Sequence, residues 1–189
     1  MNRFQQTFGE PKEFVRKKIF SSLDPMMQDF IRQAPFAVLA TAGHSGECDA
    51  SPRGGTPGFV KVLDEKHILL PDIAGNHLFH SYENVDSNAH AALVFMIPGC
   101  DWTVRVNGRA RVVDRGSERL EGTAPEVFSE DENTRILQGL MIEVVETYAH
   151  CPRAFLFSKL WDTERIGEAR ETNANRYWLD RWRESMEGR

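Results

Sequence analysis

An arginine set among glycines is the first group in this chain whose type and spacing could do chemistry. Arg53 lies in the stretch DASPRGGTPGFVKVL, Asp49 to Leu63, and is followed by Gly54, Gly55 and Gly58. Its guanidinium is a planar fork of donors matched to phosphate, and glycines let a ligand approach the backbone closely. As a bare pattern this is a bendable loop with a solvated arginine, since neither a GK[ST] run nor G-x-G-x-x-G spacing accompanies it. A second anion-suited feature is LLPDIAGNHLF. There a helix is expected to begin at Asn76, capped by that residue, with His77 in its first turn; free amides and the dipole of such an end attract phosphate. The third is WTVRVNGRARV, where period-two alternation puts Thr103, Arg105 and Asn107 on one strand face. That face suits a polar ligand and equally suits solvent.

Other reactive pairs point less far. His150 precedes Cys151, and a histidine can activate a thiol. Chain neighbours seldom aim at each other, however, and nothing supplies an oxyanion hole, so packing at a helix start is the expectation. His77 and His80 have the i, i+3 spacing of a metal pair. No third ligand accompanies them, and no metal site is expected.

These residues need elements to position them. Phe14, Val15, Lys18 and Ile19 recur at helical spacing. DPMMQDFIRQA then offers Asp24 as N-cap and Pro25 at the first helical position. From Phe36 the pattern turns to short β-rich runs: FAVLATA, then FVKVL and HILL as a hairpin, then AALVFMI as a strand buried on both faces. WTVRVNGRARVV and LMIEVVETYA follow as strands, and the charged tail carries Tyr177, Trp178 and Trp182 at helical spacing. Six or so antiparallel strands with few helices between them predict a mainly β fold, a small closed β-barrel with peripheral helices.

Composition narrows the class. A chain of 189 residues, 41% hydrophobic and 27% charged, can bury a core without staples. A formal net charge of -5 argues against nucleic-acid binding. Three cysteines without close spacing fit a reducing, cytoplasmic setting. No apolar leader opens the sequence, and its longest apolar run, Ala91 to Ile97, is too short to span a bilayer. No membrane partner is expected.

Taken in order, SPRGGTPGFVKVLDEKHILLPDIAGN, SNAHAALVFMIPG, VNGRARV and HCPRAFLFSKLW resemble the pyridoxamine 5'-phosphate oxidase-like, FMN-binding split-barrel superfamily. The match is nearest to a bacterial branch of FMN-dependent proteins and runs from Phe36 to Trp161. The resemblance implies one split-barrel domain over residues 1–189, with N-terminal helices at about 10–34 and a helical tail at about 172–188. It implies a homodimer holding FMN at the subunit interface. Carried over by position, Arg53 and Gly54 open the first FMN segment, and Val60 and Lys61 continue it. Pro71 and Asp72 end the next strand, Asn76 and His77 grip phosphate, and Thr103 with Arg105 contact the cofactor from a neighbouring strand. Arg153, Lys159 and Trp161 would close over flavin or substrate.

One position departs from the family pattern, which has basic residues where this chain has His77 and Leu78. Phosphate grip there would rest on histidine protonation, because a neutral imidazole offers a single donor. The implied activity is that of an FMN-dependent oxidoreductase using a small-molecule substrate or a nicotinamide donor, with no catalytic side chain assigned. Pyridoxamine 5'-phosphate oxidase itself is not expected, since RETNANRYWLDRWRESMEGR lacks that enzyme's arginine-rich substrate motif. The alternatives are a non-catalytic flavin- or haem-binding barrel, with His77 or His150 as axial candidates, and a barrel that has lost its cofactor.

Overall fold

The computed structural model describes residues 1–117, 120–172 and 174–187. In chain order the elements are α1 (Arg3–Phe8), α2 (Glu13–Lys17), α3 (Pro25–Gln33), β1 (Phe36–Ala42), β2 (Cys48–Gly54), β3 (Lys61–Val62) and β4 (His67–Ile73). Then come α4 (His80–Ser87), β5 (His90–Met96), β6 (Thr103–Asp114), β7 (Ile136–His150), α5 (Arg153–Ser158), α6 (Thr163–Glu171) and α7 (Ala174–Glu187). Two compact units result. The first holds Met1–Ile97 and Trp102–His150, and the second holds Pro98–Asp101 with the chain from Cys151 onward.

The first unit is one antiparallel sheet in the order β2-β1-β5-β6-β7-β4-β3. It curls into a barrel left open between the β2 edge and the β3 edge, which is the split-barrel fold with peripheral helices. Alternation fills its interior: Ala37 and Leu39 from β1, Leu93 and Phe95 from β5, Val104 and Val106 from β6, with Ile68, Leu70, Leu140 and Ile142 opposite. Helix α3 supplies Met27 and Ile31 to the same core. Its start is built as the residue pattern predicts, with the Asp24 carboxylate accepting from the Met27 amide at 2.7 Å and Pro25 at the first helical position. A register shift at Asn107/Gly108 bends β6. A Cβ on Gly108 would meet the Glu143 carbonyl oxygen at 2.2 Å, so only glycine lets the two strands approach there.

Four expectations change. The stretch around Arg53 is not a loop but strand β2, paired with β1 from Phe36↔Gly54 to Ala42↔Cys48. Its composition hid it: Pro52 and two polar residues look like turn material, yet an edge strand tolerates proline because one side needs no donor. The strand over AALVFMI is not buried on both faces; Ala92, Val94 and Met96 alternate with the core as a half-buried outer row. The hairpin is shorter than expected, since only Lys61 and Val62 pair with β4 while Phe59 and Val60 sit buried in the turn. The helix expected at Asn76 begins at His80 instead. His77 and Phe79 both adopt left-handed backbone, at φ 59° and 54°, which holds the chain out of helix until that point.

Candidate functional site

Four elements meet at the open side of the barrel. Period-two alternation on β2 aims Asp49, Ser51 and Arg53 at one cleft, since these are its half-buried positions while their neighbours are exposed. Strand β4 contributes Asp72, α4 contributes Ser81 and Tyr82, and the loop before α4 contributes Asn76 and His77. The cleft they enclose has a volume of ≈ 340 Å³, within the range of small-ligand sites.

Arg53 organises it. Its Nη1 donates to the Asp72 carboxylate at 3.0 Å and its Nη2 to the Ser81 hydroxyl at 3.3 Å. Ser81 in turn donates to Asp49. The bond from β2 to β4 crosses the split, so one ion pair ties the two lips of the barrel. Asp72 is only 6% exposed. Burial raises its pKa above the ordinary 3.8, against the opposing pull of Arg53 and of hydrogen bonds from Gln138 and Tyr82. Burial likewise raises the Tyr82 phenol, with the Asp72 charge adding to it, so Tyr82 stays a neutral donor. The folded state therefore holds the Asp72 proton more firmly than the unfolded chain does. Its ionisation opposes folding, and the stability lost on ionisation returns as pH falls through the raised folded value toward 3.8. In urea titrations, wild type should gain stability relative to Asp72→Asn as pH falls through this window. A constant difference between the two would refute the assignment.

The buried Nε of Arg53 has no acceptor among the described residues. A buried guanidinium N–H without a partner is costly, and Arg53 lines both this cleft and an adjoining one of ≈ 180 Å³ with Gly54 and Pro71. Glu126, from the chain between β6 and β7, lines that second cleft too. It accepts from Thr56 Oγ1 and from Lys61 Nζ, each at 3.0 Å, and these contacts lower its pKa.

The structure thus brings together Arg53, Gly54, Pro71, Asp72, Asn76 and His77 around two adjoining clefts. Lys61 reaches them through Glu126. Val60 is a core residue, 1% exposed. Asn76 caps no helix; its side chain accepts from the Leu78 amide and fixes the loop. Thr103 and Arg105 lie elsewhere, on β6 beside Tyr148 and His150 of β7. In the second unit, Arg153 lies over the Phe157 ring at 4.7 Å, Lys159 ends α5 in left-handed backbone, and Trp161 donates to the Cys100 carbonyl while stacking on Phe155. Asp49, Ser81, Tyr82 and Glu126 were not foreseen. Asp49 was within reach, two alternations before Arg53 once that stretch is taken as strand. Among the described residues no group of three or more candidate metal ligands occurs, and no helix is long and apolar enough to cross a membrane.

The pattern of the pyridoxamine 5'-phosphate oxidase family matches residues 23–146. Among solved structures, the chain is similar to a protein from Lactobacillus delbrueckii named for pyridoxamine 5'-phosphate oxidase, with 20% identity, a TM-score of 0.50, and coverage of 68% of this chain and 95% of that one. It is similar to HupZ of Group A Streptococcus, at 16% identity and TM-score 0.49 over 67% of this chain and 98% of that one. An FMN-binding protein from Syntrophomonas wolfei gives 11% identity and TM-score 0.48 over 66% and 83%. No curated protein sequence matches the chain.

Proposed function

The chain belongs to the pyridoxamine 5'-phosphate oxidase family, and from that premise we propose that it is an FMN-dependent oxidoreductase working as a homodimer on a small-molecule substrate. The observation that carries this reading is the unpartnered Arg53 Nε at the junction of two clefts. A phosphate accepting from it would satisfy that buried donor. His77 is the other group of the proposed phosphate grip, at the rim of the same cleft. Gly54 and Pro71 would bring backbone close to the flavin, and Asp72 with Tyr82 would hold Arg53 in place. The bound flavin supplies hydride or electron transfer; the protein binds, orients and excludes water. Pairing of two copies is supported by the half-buried apolar row Val38, Val94 and Met96 on the outer face of β1 and β5.

The cleft carries two carboxylates, Asp49 and Asp72, beside its one arginine. A dianionic phosphate therefore depends on histidine for added charge. Protonation gives an imidazole a second donor and a positive charge. Flavin titrations followed by fluorescence should give tighter FMN binding at pH 6 than at pH 8.5. Riboflavin, lacking the phosphate, should show no such dependence. FMN affinity equal at both pH values would remove His77 from the grip, and no flavin binding at all would remove the flavin reading itself.

A further inference from the structure

A second cationic cluster lies away from the cleft, at the end of β6 and β7. Arg105 and Tyr148 are cross-strand partners, and Arg105 Nη1 donates to the Tyr148 hydroxyl at 2.9 Å. The Arg105 guanidinium and the Lys18 ammonium each lie 5.4 Å from the centre of the Tyr148 ring. His150, next along the same face of β7, has its ring 5.9 Å from that of Tyr148. Lys18 is anchored by donating to the Ala149 carbonyl at 3.3 Å, so its charge is held in place rather than swept through solvent.

Among the described residues no carboxylate pairs with Arg105 or Lys18. The acid two residues back along that face of β7, Glu146, accepts instead from Asn107 at 2.8 Å. The buried Nδ1 of His150 has no partner. Lys18 and Arg105, two cations held against one aromatic ring, repel each other, and an anion seated between them would relieve that repulsion.

We propose that Lys18, Arg105, Tyr148 and His150 form a second anion site, for the phosphate of a small phosphorylated ligand, separate from the Arg53 cleft. Arg105 keeps further guanidinium donors for it, Lys18 adds a fixed charge, and His150 completes the cage through the nitrogen that has no partner. Burial and the charges of Arg105 and Lys18 hold His150 below its ordinary pKa. An anion seated among the three groups reverses the electrostatic part of that shift. The site stands whether or not the barrel binds flavin.

The test follows the His150 imidazole by NMR, its signals assigned with His150→Gln, while pH is varied at constant ionic strength. Wild type and the Arg53→Ala/Asp72→Asn double variant, whose cleft has lost its arginine, are titrated with inorganic phosphate, phenyl phosphate or chloride. At saturating phosphate the His150 midpoint should rise by about one unit, a tenfold coupling, in both proteins. Lys18→Met should weaken phosphate several-fold, and Lys18→Met/Arg105→Met should abolish the response. Tighter binding of phenyl phosphate than of inorganic phosphate would identify an ester as the ligand; the reverse order would identify free phosphate. A midpoint unmoved by either, moved as far by chloride, or still responsive in the Lys18/Arg105 double variant overturns the site. A response lost together with Arg53 overturns its separateness.

Discussion

Arg53→Ala should release flavin and lower stability by about 3 kcal/mol at neutral pH, because it strands a buried carboxylate. Asp72 is 6% exposed, and the Arg53 bond across the split is its only cationic partner in the described chain. Without it the carboxylate either stays charged and uncompensated or takes up a proton. Its pKa is already raised by burial, so losing Arg53 lifts it further, and the penalty shrinks as the pH is lowered. The double variant Arg53→Ala/Asp72→Asn should recover most of the lost stability, since no buried charge remains. It should not recover FMN. Urea unfolding and flavin titration on wild type, Arg53→Ala, Asp72→Asn and the double variant separate the two roles. Wild-type FMN affinity in Arg53→Ala would end the claim that this guanidinium grips phosphate. No stability rescue in the double variant would end the claim that Asp72 is what the loss exposes.

That experiment turns on Arg53 and Asp72, both named from the sequence, whereas the other partners of Arg53 were hidden for a physical reason. Arg53, Asn76 and His77 could be picked out because polar groups interrupt apolar or glycine-rich runs there, whereas Pro71 and Asp72 came only with the family resemblance. The barrel could be anticipated because β1, β5, β6 and β7 are short apolar or alternating β-rich runs with few helices between them. Strand β2 could not, since an outermost strand pairs on one side only and need not be apolar; CDASPRG satisfies it through backbone bonds to β1. With the strand unread, the shared facing of Asp49 and Arg53 was unread too. The helix start was misplaced because Asn76 is an excellent cap by type, and left-handed backbone at His77 and Phe79 is not written in residue identity. Ser81 and Tyr82 look like one polar and one packing residue of a helix until the sheet curls and brings Arg53 to them. Thr103 and Arg105 were correctly assigned a shared face, but which cluster that face serves depends on the pairing of β6 with β7.

The glycines beside Arg53 answer to a different demand. Gly55 has no left-handed backbone to explain it; what it needs is space. A Cβ there would lie 2.1 Å from the Glu126 carbonyl oxygen and 2.7 Å from the Phe59 Cβ. That carbonyl is not free to retreat, because it accepts from the Thr56 amide at 2.9 Å while the Glu126 side chain is held by Thr56 and Lys61. Gly55→Ala must therefore push the Glu126 backbone off its seat or displace Phe59, which is 6% exposed in the core. Overpacking together with one lost backbone bond should cost about 2–4 kcal/mol, lowering Tm by roughly 10 °C for a chain of this size. Gly58→Ala is the control. Its φ of 93° imposes backbone strain, yet nothing lies within 4 Å of the added Cβ, so its cost should stay near 1 kcal/mol. Because Glu126 and Arg53 line the same second cleft, displacing Glu126 should also speed flavin release, an effect Gly58→Ala should not share. Equal melting temperatures for the two variants would mean that Gly55 marks flexibility after all, and that Glu126 is not seated against it.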